Sequence, residues 1–418
     1  MYQKFLKNDF LILFSIIPLT ILIGPAASLL NIVIISLVGI FTLSKVYRNG
    51  HNFFSSQPVK LLILLYLYLI FNSFIALDFA ISAKRNFGFI RFIILFIVCN
   101  YFFYSFPKSK NIFKFWLIIL LVFTADVYLE VVTGKNILGY GEDSRQRVVS
   151  FFKDELIAGA FINSFFLILL GYLFINFDKK RKIVQISILI LSLLFLFAII
   201  FTGERSNSIK AFIGFTFFIL LNHNFRKKVK FYLFIIFSAL ILFIYFNSEF
   251  LKLRYEGQFL NYITGVNNDT LTTLTNNKYV VLYSVGYEVF KKHPLFGVGN
   301  KNYRVETCKK NNNYKRCTTH PHQVYFEFIS EHGIVGTLIL LSILFYLIFR
   351  LLKVIIISKN YIQLGSFLYL ILVFTPFLPG GSFFNDFNAT IFWINFSLLY
   401  ASNKNTNIFN QETKLEEN

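Results

Sequence analysis

Apolar residues in this chain come in long unbroken runs, and polar residues are confined to short stretches between them. A membrane-crossing helix needs about 20 mostly apolar residues. About twelve runs approach that length, centred on residues 10–23, 28–44, 59–77, 86–106, 112–132, 156–176, 183–202, 208–222, 229–247, 335–357, 362–378 and 387–401. The pattern predicts an all-α, polytopic integral membrane protein with about 12 transmembrane helices. The first two runs are short and read equally as a hairpin or as tilted spans. One long polar interruption, 248–334, divides the chain. Residues 1–247 form a membrane domain of about nine helices, 248–334 a loop region, 335–402 the C-terminal helices and 403–418 a polar tail of disordered composition. No repeat of 20–50 residues is visible. The first run leads into further apolar sequence with no small-residue cleavage site, so it reads as a span and not a removed signal peptide.

Composition agrees: 56% hydrophobic and 15% charged residues exclude a soluble globule of 418 residues. The net charge of +20 invites a nucleic-acid reading. No basic run carries the stacking pattern of such a surface, so no nucleic acid is expected as partner. The basic residues sit instead in alternate short loops: Lys4 and Lys7; Lys45, Arg48 and Lys60; Lys108, Lys110 and Lys114; Lys179 to Lys182; Arg226 to Lys230; Arg350, Lys353 and Lys359; Lys404 and Lys414. The opposite loops are poorer. The positive-inside rule then puts both termini in the cytoplasm and 248–334 outside, with the clusters against anionic membrane lipids.

The outer region concentrates unusual chemistry. Four of six histidines (His293, His320, His322, His332) and two of three cysteines (Cys308, Cys317) fall between 291 and 336. In an oxidising compartment Cys308 and Cys317 are disulfide candidates; the alternative is two unpaired thiols. Cys99 reads as a small packed hydrophobe. His320, His322 and His332 with Glu331 have the residue types of a metal site, but Pro321 separates the first two, and no metal site is expected. Glu327 and Glu331, at i and i+4, share a helix face and would contact an acceptor or pair with loop lysines. Gly297 and Gly299 suit a turn. Arg145 and Arg147 form another outer cluster. Arg85 and Arg91 flank the fourth run, where Arg91 needs a partner or a cavity.

The segments HPLFGVGNKNY and HPHQVYFEFISEHGIVG resemble the signature of the O-antigen ligase and polymerase superfamily of bacterial envelope glycosyltransferases. Ligases carry a His followed by Asn, Ser or Gln, nine residues, then Gly-x-x-Gly. His322, Gln323, the residues Val324 to His332, Gly333 and Gly336 fit without a gap. The family's Arg in a short external loop is matched by Arg205 in GERSNS. A further family Arg is replaced by Lys278, which keeps the charge and loses the bidentate fork.

The resemblance implies a multi-pass enzyme of the bacterial inner membrane with its active site facing the periplasm. Its donor would be a glycan on a polyprenyl (undecaprenyl) diphosphate, and its acceptor a hydroxyl, lipid A-core for a ligase. No cofactor and no metal are implied. Fixed cations would neutralise the departing diphosphate: Arg205, with Lys278 and Arg304 as further candidates. His322 would take the acceptor's proton, with His320 as competitor and Arg147 and Glu331 as secondary candidates. Blander roles stay open: Arg205 as a snorkelling side chain or partner of Glu204, His322 as a helix-start packing residue, Lys278 as an interfacial charge. Alternatives are O-antigen polymerase or protein O-oligosaccharyltransferase. More distant is a lipid-linked oligosaccharide flippase, which would bury ionisable groups within spans and show internal symmetry.

Overall fold

A computed structural model describes residues 2–50, 52–106, 109–141, 147–153, 155–177, 182–252, 278–309 and 314–410. Lys108, Lys179 to Arg181, Arg145, residues 253–277 of the outer region and 411–418 of the tail lie outside the described residues.

Backbone in hydrocarbon must satisfy its own N–H and C=O groups, so apolar runs become helices. All twelve runs do so here. The helices are α1 (Tyr2–Ser15), α2 (Ile17–Ile23), α3 (Pro25–Arg48), α4 (Gln57–Phe74), α5 (Phe79–Phe87), α6 (Ile90–Ser105), α7 (Ile112–Thr133), α8 (Ala158–Asn176), α9 (Lys182–Phe201), α10 (Arg205–Leu221), α11 (Lys227–Asn247) and α12 (Glu249–Lys252). They continue with α13 (Lys278–Lys292), α14 (Tyr303–Thr307), α15 (Val324–Phe349), α16 (Leu352–Ser358), α17 (Tyr361–Val373) and α18 (Asp386–Ala401). Among the described residues there is no strand, only an isolated bridge between Lys135 and Gly141.

Among the described residues, eight helical segments are long and apolar enough to cross a membrane. The other four runs fall short by length. The first is broken into α1 and α2, with Pro18 opening the second, and α10, α17 and α18 have 17, 13 and 16 residues.

Helix α8 lies at the centre, buried on every face from Phe161 to Phe174. It meets α17 backbone to backbone. A Cβ on Gly171 would strike the Tyr361 carbonyl, and one on Gly365 would strike that of Leu167. Small residues permit that approach where lipid removes any hydrophobic drive between helices. Helix α11 is the opposite case: Phe237 is its one buried residue, with its ring tilted against Phe215 at 5.0 Å between centroids. Its apolar remainder faces outward, as a lipid-facing helix requires.

Helix α15 starts at Val324, within the expected outer loop, and is broken at Gly333 (φ 62°, ψ −167°). The segment 294–299 fills that break. Val298 and Gly299 donate their N–H groups to the carbonyls of Ser330 (3.0 Å) and Glu331 (2.9 Å), while Ile334 and Val335 donate to Pro294 (2.8 Å) and Leu295 (3.1 Å). The approach is close on both sides. A Cβ on Gly297 would collide with the Glu331–His332 peptide, and one on Gly333 with Leu295. Gly336 faces the Tyr68 hydroxyl, which contacts His332 Nδ1 at 3.1 Å. Gly297 and Gly333 are explained by this mutual embedding, while Gly299 faces Ala76.

Residues 403–410 depart from the expected polar tail. Ile408 and Phe409 are fully buried, and Asn407 Nδ2 donates to the Asn100 carbonyl at 2.9 Å. Composition hid an apolar pair that has a place in the core.

Substituting Gly333 tests the break. Its dihedrals belong to a region open essentially to glycine alone, and no side chain has room. Gly333→Ala should lose about 3 kcal/mol or more of stability, measured as a lower unfolding midpoint in detergent; an unchanged midpoint would refute the embedding.

Candidate functional site

The site is assembled at one end of the bundle from four segments. The first is the start of α15. Gln323 is its N-cap, accepting from the N–H groups of Tyr325 (2.8 Å) and Phe326 (3.1 Å). An Asn, Ser or Gln after the histidine therefore has a physical role as cap. His322 precedes it with φ at +61°. Lys301 and Phe377 share that left-handed conformation at +64° and +62°. Such strain costs about 1–3 kcal/mol per residue and persists only where surroundings enforce it.

The second segment, 376–382, is the enforcer, and sequence reasoning missed it. Gly380 N–H donates to the His322 carbonyl at 2.8 Å, and Ser206 Oγ donates to the Pro379 carbonyl at 2.6 Å. Residues 379–380 thus join His322 to the helix that Arg205 opens. The Pro-Gly-Gly sequence after an apolar run was the available signal. Ser382 Oγ donates to buried Glu327 at 2.6 Å and accepts from Lys301 Nζ at 2.6 Å.

The third segment is α13. Tyr283 stacks on Phe326 with ring centroids 5.1 Å apart, and Gly286 faces Pro321 and Phe326. Lys278, exposed at its first residue, is near enough for its charge to act on His322. The fourth is the segment after the GVG turn. Asn300 N–H bonds Asn72 Oδ1 at 2.7 Å, Asn300 Nδ2 bonds Asn86 Oδ1 at 2.5 Å, and Asn302 Oδ1 accepts from Asp78 N–H at 2.8 Å. These bonds hold Lys301 in place.

The imidazoles of His320 and His322 lie 4.0 Å apart, centroid to centroid. Burial depresses both to about 4, aided by Lys301 for His320 and by His320 and Lys278 for His322. Both rings are neutral at pH 7 and able to accept a proton. The cations that could hold an anion beside them are Lys278, Lys301 and, across residues 379–380, Arg205.

Other sequence-predicted residues fall elsewhere. Arg304 is exposed on α14, and no contact joins it to the histidines; Lys301, three residues earlier, is the segment's cation at the site. Arg147 is engaged in structure, donating to the Leu156 carbonyl at 2.7 Å and lying 3.8 Å from Glu204. Glu204 itself receives the N–H groups of Gly159 (2.7 Å) and Ala160 (3.2 Å), capping α8, and Asn207 Nδ2 at 2.7 Å. Glu331 is fully buried beneath the site; its carboxyl lies near the backbone of Lys301 and Tyr303 without a well-formed hydrogen bond. His332 is buried against Tyr68. His293 lies 4.0 Å from Glu306, which also receives Lys309 (2.8 Å) and the Tyr314 hydroxyl (3.1 Å). Cys308 and Cys317 are joined, with Cα atoms 4.9 Å apart. Arg85 and Arg91 both bind Asp386, at 2.6 and 2.9 Å. Among the described residues no three His, Cys, Asp or Glu side chains converge as metal ligands.

Depressed imidazoles set the sign of a pH effect. Below about pH 6.5 the unfolded chain takes up protons that the folded pair refuses until about 4. Stability should therefore fall as pH drops from about 6.5 to about 4. Thermal unfolding of the wild type and of His320→Gln/His322→Gln measures this; the double variant should show a shallower fall. Truncating the cap, Gln323→Ala, should cost about 1 kcal/mol, read as a lower unfolding midpoint.

The sequence profile of a family described as O-antigen ligase matches residues 188–341. No curated protein matches the chain. The matched stretch runs from α9 into α15 and contains Arg205, Lys278, Lys301, His320, His322 and the helix break, but neither Arg147 nor residues 376–382. The match over residues 188–341 supports the resemblance of this all-α membrane protein to the O-antigen ligase and polymerase superfamily.

Proposed function

We propose that this protein is a ligase-type glycosyltransferase of the bacterial inner membrane. It moves a glycan from an undecaprenyl diphosphate carrier to a hydroxyl of lipid A-core at the periplasmic face, with both termini in the cytoplasm. The observation that carries the reading is the joining of the His322 loop to the start of α10, through residues 379–380. A proton acceptor and a set of fixed cations thereby share one end of the bundle.

In the proposed reaction the acceptor oxygen attacks the anomeric carbon as the carbon–oxygen bond to the diphosphate breaks. The electron pair leaves with the undecaprenyl diphosphate, and the hydroxyl proton passes to His322. A single displacement inverts the anomeric centre. Arg205 and Lys278 bind the phosphate oxygens on which charge grows. An imidazole held near 4 is a weak base alone. A diphosphate placed beside it favours the protonated ring, so base strength rises when the donor binds. No metal is required at any step.

Purified protein, lipid-linked glycan, lipid A-core and EDTA test the reading together. Product on lipid A-core is the expected result. Longer lipid-linked chains would indicate a polymerase, and loss of activity in EDTA would refute metal independence. His322→Ala should lower kcat about 10²–10⁴-fold with donor binding retained; full activity would remove the proposed base. Arg205→Ala should lower kcat/KM about 10²–10³-fold and weaken donor binding.

A further inference from the structure

Among the described residues, part-buried arginines are found with acidic partners. Arg85 and Arg91 share Asp386, Arg91 also donates to the Gly88 carbonyl at 2.9 Å, and Arg147 has Glu204 and Leu156. Lys210 is only 9% exposed in α10, yet among the described residues no hydrogen bond, carboxylate or aromatic ring reaches it. Its neighbours on the helix are all engaged: Ser206 with Pro379, Asn207 with Glu204, Ser208 with the Glu204 carbonyl at 3.1 Å. An ammonium group removed from water without a counter-charge is costly. An ionisable group inside a membrane bundle marks a functional site unless paired.

Helix geometry indicates what Lys210 serves. Positions i−4 and i+4 share its face. Four residues on, Gly214 packs against Leu372 and Leu167, so this is the inward face of α10. Four residues back, Ser206 is bonded to Pro379, whose neighbour Gly380 holds His322. Helical side chains lean toward the N-terminus, and a lysine stem spans about one turn. A stem leaning that way is long enough to reach the residues that join Arg205 to His322.

We propose that Lys210 binds a phosphate group from beneath the site and that this phosphate belongs to the lipid-linked diphosphate donor. The inference rests on the donor assignment above and adds a third element to its cation set, one within the bundle. The unpaired charge of the empty site is then the anion's counter-charge, held ready before the ligand arrives. A phospholipid headgroup offers the same chemistry, so the test separates the two sources.

The full chain is reconstituted in phosphatidylcholine nanodiscs and titrated with undecaprenyl diphosphate, and separately with phosphatidylglycerol. Lys210→Met, which keeps length and volume, should weaken undecaprenyl diphosphate binding at least ~10-fold and raise the unfolding midpoint, because an unpaired buried charge is gone. Lys210→Arg should keep binding within ~3-fold. Equal binding by Lys210→Met, or a lowered midpoint that marks a purely structural cation, would overturn the proposal. Binding of phosphatidylglycerol that competes with the diphosphate and is lost in Lys210→Met would assign the site to headgroups instead. If the wild type binds no undecaprenyl diphosphate, the donor assignment fails with it; if the wild type binds and Lys210→Met binds equally, Lys210 alone fails.

Discussion

Four backbone hydrogen bonds across the interruption at Gly333 hold the site end of the bundle together. A helix that breaks inside a bundle releases peptide groups that lipid cannot satisfy, each at a cost of several kcal/mol. Here Val298, Gly299, Pro294 and Leu295 supply partners to Ser330, Glu331, Ile334 and Val335. The segment that does so continues directly into Asn300, Lys301 and Asn302. Its asparagines are bonded in turn to α4, α5 and the turn between them. Lys301 is therefore presented to Ser382, and Ser382 to Glu327, by a segment anchored at the break at Gly333. Secondary structure, packing and charge placement at the site are consequences of one missing turn of helix.

A second dependence runs through residues 379–382. That short segment is bonded to α10, to the His322 backbone and to Glu327 of α15. It ties two helices and the His322 loop into one scaffold for the two imidazoles. The left-handed conformations of Lys301, His322 and Phe377 are grouped around it, as expected where local strain is stabilised by a rigid surround.

Much of this was legible in the sequence, and the limits have physical causes. Hydropathy located every apolar helix, because lipid permits almost no other backbone structure. The count of twelve spans is not settled by length alone: Pro18 divides the first run, α10 has 17 residues, and Asn360 and Asn385 cap the short α17 and α18, which a hydropathy run does not register. The histidine motif led to His322, its cap Gln323 and the paired glycines. It could not separate Lys301 from Arg304, because the choice depends on a positive φ and on asparagine bonds to residues more than two hundred positions away. Residues 379–382 went unread for a similar reason, since their meaning is entirely tertiary. Ile408 and Phe409 were lost in a polar average.

Glu204, the neighbour of Arg205, has a consequence for the electrostatic landscape of the site. An acidic side chain next to a proposed anion-binding arginine would ordinarily cancel its field. This one is turned away, bonded to the amide end of α8 and facing Arg147. Its negative charge is absorbed by a helix dipole and a second guanidinium. The carboxylate beside Arg205 thus also fastens the start of α8 to the start of α10, through Gly159, Ala160 and Asn207.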